Sequence, residues 1–352
     1  MITFDDHDDS VPIALQKYNS NNAQNKNRIV YYTTSQQKED LSQDDITDDM
    51  LTSVFGSHAI RSMKAKQRKR DELIEMYNGK DEAKKFSSVI IHDNSKFRVI
   101  PYALGSDDES FNRFVMFLNG KSGSGKSYFS KNIMEICRAY GITKIYVITD
   151  VKDPKFGKVK YLDINSIIGE NTDHEKSKKE YEQAKIKFKY KKKMYADDPE
   201  MLMQLELALN ELKPEGKGKN KFSFLLSDDE RDAIFRDSLV LFDDYENNPD
   251  IAKIEFLRDN LLTKGRHTKT SMIICNHKGN DGNHMKLIKI EATDYVLFSR
   301  GTDHERNYLL RTYLGFTKEQ IKRIKNVLKK SRWVSINQDV GYAVSEKECF
   351  NI

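Results

Sequence analysis

The stretch that decides the fold reads MFLNGKSGSGKSYF over residues 116–129. An apolar run at 114–118 leads into a loop whose spacing matches G-x-x-x-x-G-K-[ST] in full. The loop consists of Gly120, Lys121, Ser122, Gly123, Ser124, Gly125, Lys126 and Ser127. Its glycines let the backbone curl so that successive N–H groups point at a phosphate, and the helix that follows adds the positive end of its dipole. The sequence therefore predicts phosphate binding, and a glycine-rich turn without a ligand is the alternative.

Two side chains of this loop have ATP and Mg²⁺ as their expected partners. We expect Lys126 to place its ammonium group on the β- and γ-phosphates, and the Ser127 hydroxyl to complete a Mg²⁺ site. Further apolar runs at 144–149, 239–242, 271–275 and 295–298 are typical of strands buried on both faces of a parallel sheet. The sequence therefore predicts an α/β core in which the phosphate loop follows the first of five strands.

Acidic side chains follow the third of these runs. Asp243 and Asp244 come directly after residue 242, and a carboxylate at a strand's carboxyl end lies at the same sheet edge as the phosphate loop. Asp243 is therefore the predicted Mg²⁺ ligand. Asp244, or Glu246 in its place, is predicted to polarise the attacking water as general base. The alternative is that this acidic stretch is only a turn.

Two further polar residues flank the fourth run. Asn276 ends it, where an amide would reach the γ-phosphate and sense its presence, and the alternative is an ordinary strand-end cap. Arg266 precedes it and is predicted to act in a neighbouring subunit as an arginine finger, or else to be a surface arginine without such a role. His277, with His267 and His284, has no recognised ligand spacing, so a metal site at these histidines is not expected.

Composition narrows the class of protein. The chain has 352 residues and 41.0 kDa, 38% hydrophobic and 32% charged residues, and a mean hydropathy of −0.71. No apolar stretch approaches the roughly 18 residues that cross a bilayer, and the acidic start is unlike a signal peptide. Secretion and membrane spanning are therefore not expected. Cys137, Cys275 and Cys349 are far apart and odd in number, which indicates reduced thiols in an intracellular compartment.

Charge is unevenly distributed along the chain. The formal net charge is +5, but residues 1–50 hold ten acids against four bases, and residues 173–193 hold nine lysines against four acids. A basic run also lies at 64–70. We interpret residues 1–60 as a disordered acidic arm, since scattered apolar residues cannot offset ordering entropy. Residues 173–212, which include the lysine-rich segment, are predicted to form one or two charged helices, broken near 197–199.

The remaining organisation follows from turn and helix signals. The predicted units are the arm at 1–60, a basic helix within 61–85, a core at 86–300 with an insertion at about 173–222, and a C-terminal helix and hairpin at 301–352. A β-hairpin is predicted from 88–92 and 97–102, and the closing hairpin from 332–337 and 341–344. The C-terminal basic helix is predicted at 318–330.

The order of these motifs is recognisable. Residues 117–127, then 239–244, then Gly265-Arg266-His267 with 271–277, resemble the FtsK/HerA superfamily, most closely the poxvirus-type DNA-packaging ATPases of large nucleocytoplasmic DNA viruses. The resemblance covers about residues 112–300, and the phosphate loop is its least specific part. Asn276 stands where many relatives carry Gln, and neither the lysine-rich segment at 173–193 nor the acidic arm has a counterpart.

The resemblance implies a RecA-like P-loop NTPase core in a homo-oligomeric ring that hydrolyses ATP with Mg²⁺ and moves double-stranded DNA into a preformed capsid. Capsid or portal-vertex proteins are then expected partners, and the host cytoplasm, in a viral factory, or the virion is the expected location. Asp244, Asn276 and Arg266 would be the catalytic residues. Two rivals stay open: a small-molecule kinase of the nucleotide type, against which the absence of an evident arginine-rich lid counts, and a nucleotide-gated structural protein.

The lysine-rich segment has two interpretations. One is a solvated helical face that keeps the protein soluble, and the other is a sequence-independent contact with the DNA backbone. On the second interpretation, changing Lys187, Lys189, Lys191 and Lys192 to Gln flattens the salt dependence of binding by up to about 3 or 4 log units per log unit of salt.

Overall fold

The computed structural model describes residues 1–6, 9–18, 27–33, 46–55, 62–79, 88–91, 93–195, 199–211, 221–277 and 284–352. Within them the helices are α1 (Asp48–Phe55), α2 (Met63–Gly79), α3 (Tyr102–Gly105), α4 (Lys126–Ala139), α5 (Thr172–Met194), α6 (Pro199–Glu211), α7 (Asp228–Phe235), α8 (Ile251–Lys264), α9 (His284–Glu291), α10 (Asp303–Tyr308) and α11 (Lys318–Leu328). The strands are β1 (Ile2–Thr3), β2 (Ser10–Lys17), β3 (Arg28–Thr33), β4 (Ser88–Ile90), β5 (Lys96–Val99), β6 (Val115–Asn119), β7 (Lys144–Ile148), β8 (Lys160–Tyr161), β9 (Ile168–Glu170), β10 (Phe222–Phe224), β11 (Ser238–Phe242), β12 (Ser271–Asn276), β13 (Asp294–Phe298), β14 (Trp333–Asn337), β15 (Tyr342–Ser345) and β16 (Glu348–Asn351). None of these helices is both long enough and apolar enough to span a bilayer.

The main sheet carries the predicted strands at its centre. Its order is β4-β16-β15-β14-β13-β6-β12-β11-β7-β8, and every pairing from β13 to β8 is parallel. Strands β6, β11, β12 and β13 are buried at every position, which explains why they read as continuous apolar runs. The chain is therefore an α/β protein, and the predicted fold class with a mostly parallel sheet is confirmed.

One feature of the strand order positions the site. Strand β12 lies between β6, which leads into the phosphate loop, and β11, which leads into the acidic pair. The carboxyl ends of parallel strands meet at one edge of a sheet. The residues that follow β12 are therefore held between the phosphate loop and the acidic pair.

Helix α4 packs the phosphate loop onto the sheet. It begins after Gly125, whose φ is 104°, and its buried side chains include Phe129, Ile133 and Cys137 at helical spacing. All three cysteines of the chain are buried, and none forms a disulfide. Burial raises the pKa of the Cys137 thiol to about 12, so this thiol stays protonated and unreactive.

The predicted disordered arm is wrong for much of residues 1–60. Strands β1, β2 and β3 form a second sheet with β5, in the order β1-β3-β2-β5. Ile13, Ala14 and Val30 are fully buried there. The composition of residues 1–60 is polar on average, but the apolar residues are concentrated in β2 and β3, and each of these strands pairs with a neighbouring strand. Residues 7–8, 19–26, 34–45 and 56–60 lie outside the described part of the chain.

The predicted hairpin between residues 88–92 and 97–102 is also wrong. Strands exist at Ser88–Ile90 and Lys96–Val99, but β4 pairs with β16 of the main sheet, and β5 pairs with β2 of the second sheet. Pairing with strands distant in sequence has overridden the local turn signal, which identifies strands but not their partners. The closing hairpin is confirmed, because β14 and β15 pair antiparallel.

The chain separates into two compact units whose limits differ from the expected ones. One unit comprises Met1–Tyr161, Phe235–Tyr245 and Leu261–Ile352, and the other comprises Leu162–Ile234 and Glu246–Asn260. Strands β14–β16 extend the main sheet antiparallel from β13, so residues 301–352 are not a separate piece.

The second unit contains the charged helices. Helices α5 and α6 pack on each other on either side of 196–198, as predicted, and Lys192 Nζ lies 3.7 Å from a carboxylate oxygen of Glu206. In the same unit β9 pairs antiparallel with β10, and Phe224 of β10 packs on Phe256 with ring centroids 5.5 Å apart.

Candidate active site

The phosphate loop has the backbone that its glycines predict. Gly123 and Gly125 have φ values of 70° and 104°, in the left-handed region that favours glycine. Gly120 is needed for a different reason, because a Cβ there would lie 2.7 Å from Ser124 Oγ and 2.9 Å from Phe298 Cβ. The Ser124 hydroxyl is itself buried and has no hydrogen-bond partner among the described residues. The loop is therefore closely packed, and it holds one buried hydroxyl group that is available to a ligand.

Lys126 lies beneath this loop at the start of α4. Its side chain is buried, and Nζ donates to the carbonyl oxygen of Gly120 at 2.6 Å. Nζ also lies 3.1 Å from Nδ1 of His277. No carboxylate oxygen is within ion-pair distance of this ammonium group in the described chain. A buried cation held only by neutral acceptors is suited to an anionic ligand.

Asp243 and Ser127 form the second part of the site. Asp243 ends β11 and is 4% exposed, and the Ser127 hydroxyl donates a hydrogen bond to its carboxylate. Burial raises the pKa of Asp243, and this hydrogen bond partly opposes the rise. Oδ1 of Asp243 is buried and has no hydrogen-bond partner in the described part of the chain. An unpartnered carboxylate oxygen beside a hydroxyl is the kind of donor set that Mg²⁺ binds, so these two residues fit the expected metal.

Asp244 lies beside Asp243 but is more exposed. Its backbone has a φ of 46°, and its side chain is 56% exposed. Oδ1 of Asp244 lies 2.5 Å from Nε2 of His277. Aspartate tolerates the left-handed conformation better than most residues, and such strain occurs at functional sites. Glu246, the alternative base, belongs to the other compact unit.

Asn276, the predicted γ-phosphate sensor, lies at the end of β12. Nδ2 of Asn276 donates to Met285 Sδ on α9 at 2.9 Å, whereas Cys275 Sγ lies 3.6 Å from Ser130 Oγ on α4. Successive side chains of a strand point to opposite faces, so the Asn276 amide lies on the sheet face away from α4. The structure therefore brings His277, not the side chain of Asn276, to Lys126 and Asp244.

Arg266 lies at the opposite edge of the sheet. It precedes β12, whose six residues span about 17 Å, and 71% of its side chain is exposed. Its Nη2 lies 3.7 Å from Glu291 Oε2, and Arg113 Nη2 lies 3.6 Å from the same oxygen. Burial, and next the charge of Arg266, lower the pKa of Arg113 to about 10. Arg266 is therefore not near the phosphate loop of its own chain.

Sequence reasoning missed two residues that contact the site. Arg300 Nη1 donates to the carbonyl oxygen of Gly123 at 3.1 Å, which places a guanidinium group on the phosphate loop. The available signal was its position two residues after β13, at the edge where the phosphate loop lies. His277 was considered only as a metal ligand. Among the described residues no group of three or more His, Cys, Asp or Glu side chains forms a metal site.

Comparisons with known proteins are distant. No protein-family profile matches the chain, and no curated protein matches it. Among solved structures it is similar to the genome-packaging NTPase B204 of Sulfolobus turreted icosahedral virus 2 in complex with ATP-gammaS, at 13% identity, over 67% of this chain and 97% of that chain, with a TM-score of 0.36.

Two further structures have similarity of the same order. The pCW3 conjugation coupling protein TcpA matches at 14% identity over 97% of this chain and 76% of that chain, with a TM-score of 0.32. The cytoplasmic domain of the Thermomonospora curvata type VII secretion ATPase EccC matches at 10% identity over 67% of this chain and 25% of that chain, with a TM-score of 0.34. At this distance no residue role or activity is transferred from these proteins.

Proposed function

We propose that the chain is an ATP-hydrolysing DNA translocase that packages double-stranded viral DNA into capsids. The observation that supports the enzymatic part is the pairing of a complete phosphate loop with the buried Ser127–Asp243 contact and its unpartnered carboxylate oxygen. The motif resemblance to the poxvirus-type packaging ATPases of the FtsK/HerA superfamily supports the coupling to DNA.

In this proposal the chain's own groups divide the work of hydrolysis. Lys126 binds the β- and γ-phosphates of ATP, and Ser127 with Asp243 holds Mg²⁺, which neutralises charge on those phosphates. Asp244 accepts a proton from water as the water oxygen bonds to the γ-phosphorus. The bond between that phosphorus and the bridging oxygen breaks, and ADP leaves with the electron pair.

Arg266 is proposed to act on a neighbouring subunit's nucleotide. Its exposure and its position at the far sheet edge exclude a role at its own phosphate loop. Arg300 already supplies a cation at that loop from within the chain. A homo-oligomeric ring would bring the Arg266 edge of one subunit to the loop edge of the next.

Helix α5 is the proposed DNA contact. The lysines from 185 to 193 are exposed, and of them only Lys192 has a carboxylate partner within 4 Å in the described part of the chain. Positive charge without base-reading side chains suits a motor that must bind any sequence.

The test is ATP hydrolysis by the full chain with and without duplex DNA. We expect DNA-stimulated hydrolysis in the wild type, none in Lys126→Ala, and wild-type activity in Lys131→Ala, a matched lysine on the same helix outside the loop. Asp244→Asn is expected to bind ATP but hydrolyse it slowly, since asparagine keeps the left-handed backbone.

Other outcomes would identify other functions. Phosphate transfer only in the presence of a nucleoside or nucleotide acceptor would identify a kinase. Nucleotide binding without turnover, with or without DNA, would identify a nucleotide-gated structural protein. Wild-type hydrolysis by Lys126→Ala would contradict the phosphate-loop assignment itself.

A further inference from the structure

Helices α5 and α6 pack on each other and still leave large apolar side chains exposed. On α5, Ile186, Tyr190 and Met194 are each more than half exposed, and on α6 so are Met203 and Leu207. Single exposed apolar side chains are normal on a protein surface, but these are spaced four residues apart, so each set lies along one face of its helix. We call the two sets the α5 stripe and the α6 stripe.

The two stripes lie on opposite sides of the helix pair. Half-buried residues recur at helical spacing on the sides where the helices pack, at Tyr181, Ala184, Phe188 and Tyr195 of α5 and at Leu202, Leu205 and Leu209 of α6. At 3.6 residues per turn, Tyr190 is about 200° around α5 from Phe188, and Leu207 is about 200° around α6 from Leu205. Each stripe therefore faces away from the other helix.

The two stripes differ in the charge of their surroundings. Lysines flank the α5 stripe, with Lys185, Lys189 and Lys193 on one side and Lys187 and Lys191 on the other. Helix α6 has three glutamates and neither lysine nor arginine in its sequence. One of the glutamates, Glu200, is exposed and lies two turns before Leu207 on the same side of the helix. The α5 face is therefore apolar and positive, and the α6 face is apolar and negative.

These faces complement each other, and neither complements itself. Two α5 faces brought together would oppose lysines with lysines, and two α6 faces would oppose glutamates with glutamates. A membrane surface covers one side of the helix pair and leaves the other stripe exposed, and contacts with DNA phosphates use polar and charged groups rather than apolar ones. A second copy of the chain supplies a complementary face for each stripe.

We propose that the α5 stripe of one copy packs on the α6 stripe of the next, so that the chain associates head-to-tail through this helix pair. Such a contact leaves one unpaired face at each end of a dimer, so association continues until a ring closes or a filament forms. The lysines beside the α5 stripe lie at the margin of the apolar contact, within reach of α6 glutamates or of DNA phosphates. The contact requires neither nucleotide nor hydrolysis, so the inference goes beyond the proposed ATPase function and does not depend on it.

The test measures self-association of the full chain by sedimentation velocity over a range of concentrations, without nucleotide or DNA. One double variant, Ile186→Gln with Tyr190→Gln, changes the α5 stripe, and the other, Met203→Gln with Leu207→Gln, changes the α6 stripe. Glutamine is a good helix former, so both helices should persist. Each double variant should raise the dissociation constant at least about tenfold, because a few central side chains carry most of the energy of an interface. Ile290→Gln on α9 is the control, an exposed apolar residue outside both stripes, and should leave the constant unchanged.

A mixture of the two double variants tests the head-to-tail geometry. Each variant keeps the face that the other lacks, so an equimolar mixture should form one-to-one heterodimers through a single wild-type contact, and no larger species. The appearance of these heterodimers also shows that both variants are folded. A contact between like faces would instead leave one of the two variants with wild-type association on its own, and mixing would add no new species.

Three results overturn the inference: a wild type that is monomeric at every concentration, wild-type association in either double variant, and the absence of heterodimers in the mixture. If the wild type is monomeric and binds vesicles of anionic lipid, and the α5 double variant loses that binding, the α5 stripe is a membrane surface instead. Failure of the ATPase proposal is distinguishable, because it is measured by hydrolysis in the wild type and in Lys126→Ala, neither of which changes a stripe.

Discussion

The lysines of α5 allow the DNA proposal to be tested with a calculated magnitude. On a helix, Lys185, Lys189 and Lys193 are spaced i, i+4, i+8 and lie in one row, whereas Lys187 and Lys191 lie on the other side. All five are exposed. Because a duplex contacts one side of a helix at a time, lysines on opposite sides should not bind DNA together. The variant that changes Lys187, Lys189, Lys191 and Lys192 mixes the two sides, so it should change the salt slope by less than four separate contacts would.

The expected size follows from helix and DNA geometry. Three lysines at i, i+4, i+8 span about 12 Å, a length that holds three to four phosphates of one strand when it is measured along the DNA helix axis at about 3.4 Å per phosphate. Each neutralised phosphate contributes about 0.9 to the log-log salt slope, so a triple Lys→Gln variant of this row should flatten the slope by about 2.7. Glutamine has nearly the helix propensity of lysine, so α5 should persist.

The assay is fluorescence anisotropy of a labelled duplex at several salt concentrations, repeated with an unrelated sequence. The control is Lys187→Gln with Lys191→Gln, which changes the same helix on its other side and should leave the slope near that of the wild type. Loss of affinity should be equal for both duplexes. An unchanged slope in the triple variant would refute a DNA contact through this row. An unchanged slope in both variants would leave α5 as a solubility or partner surface.

Three further predictions concern the site and its support. Arg266→Ala should bind ATP normally, hydrolyse it orders of magnitude more slowly, and regain partial activity when mixed with Lys126→Ala; no rescue after confirmed subunit exchange would exclude a finger acting in trans. Gly120→Ala should weaken ATP binding, and cost about 1–3 kcal/mol in urea unfolding, because its Cβ meets Ser124 Oγ at 2.7 Å. Burial raises the pKa of Asp294 to about 7, so the folded state binds this proton more tightly than the unfolded state. The free energy of unfolding therefore decreases as the pH rises from about 4 to 7, because the buried carboxylate becomes charged. Asp294→Asn should therefore gain about 2 kcal/mol relative to wild type between about pH 5.5 and pH 8 in urea unfolding, and a pH-independent difference would contradict the buried titration.

The sequence predicted those strands in which every residue is buried. Strands β6, β11, β12 and β13 are apolar at nearly every position, so their existence and the sheet edge that carries the site follow from pattern alone. Strands β2 and β3 escaped prediction because each is surrounded by polar residues that dominate the local average. Strand β2 pairs with β5, which is distant in sequence, and β3 pairs with β2.

The site shows a finer limit of sequence reasoning. Asp243 was predictable because a residue that directly follows a buried parallel strand must lie at the carboxyl edge of the sheet, where the phosphate loop also lies. Asn276 and His277 are adjacent polar residues, and a difference of one position moves a side chain to the opposite face of a sheet. Only the packing of Cys275 against α4 and of Asn276 against α9 decides between them. The sensing role of Asn276 stays a prediction until its variant is measured.

The two ends of β12 also limit how subunits can cooperate. The phosphate loop, Asp244 and Arg300 lie at its carboxyl edge, and Arg266 lies about 17 Å away at its amino edge. An arginine finger therefore requires that the amino edge of one subunit meet the carboxyl edge of another. When such a contact is head-to-tail, each subunit donates one arginine and receives one, and the series either closes as a ring or grows as a filament. In a closed ring of mixed subunits, an active site needs an intact Lys126 in one chain and an intact Arg266 in its neighbour. A chain that lacks one of these residues inactivates one site, so activity should fall in proportion to the fraction of that chain. A chain that lacks both residues inactivates its own site and its neighbour's, so activity should fall as the square of the intact fraction, more steeply than for independent subunits.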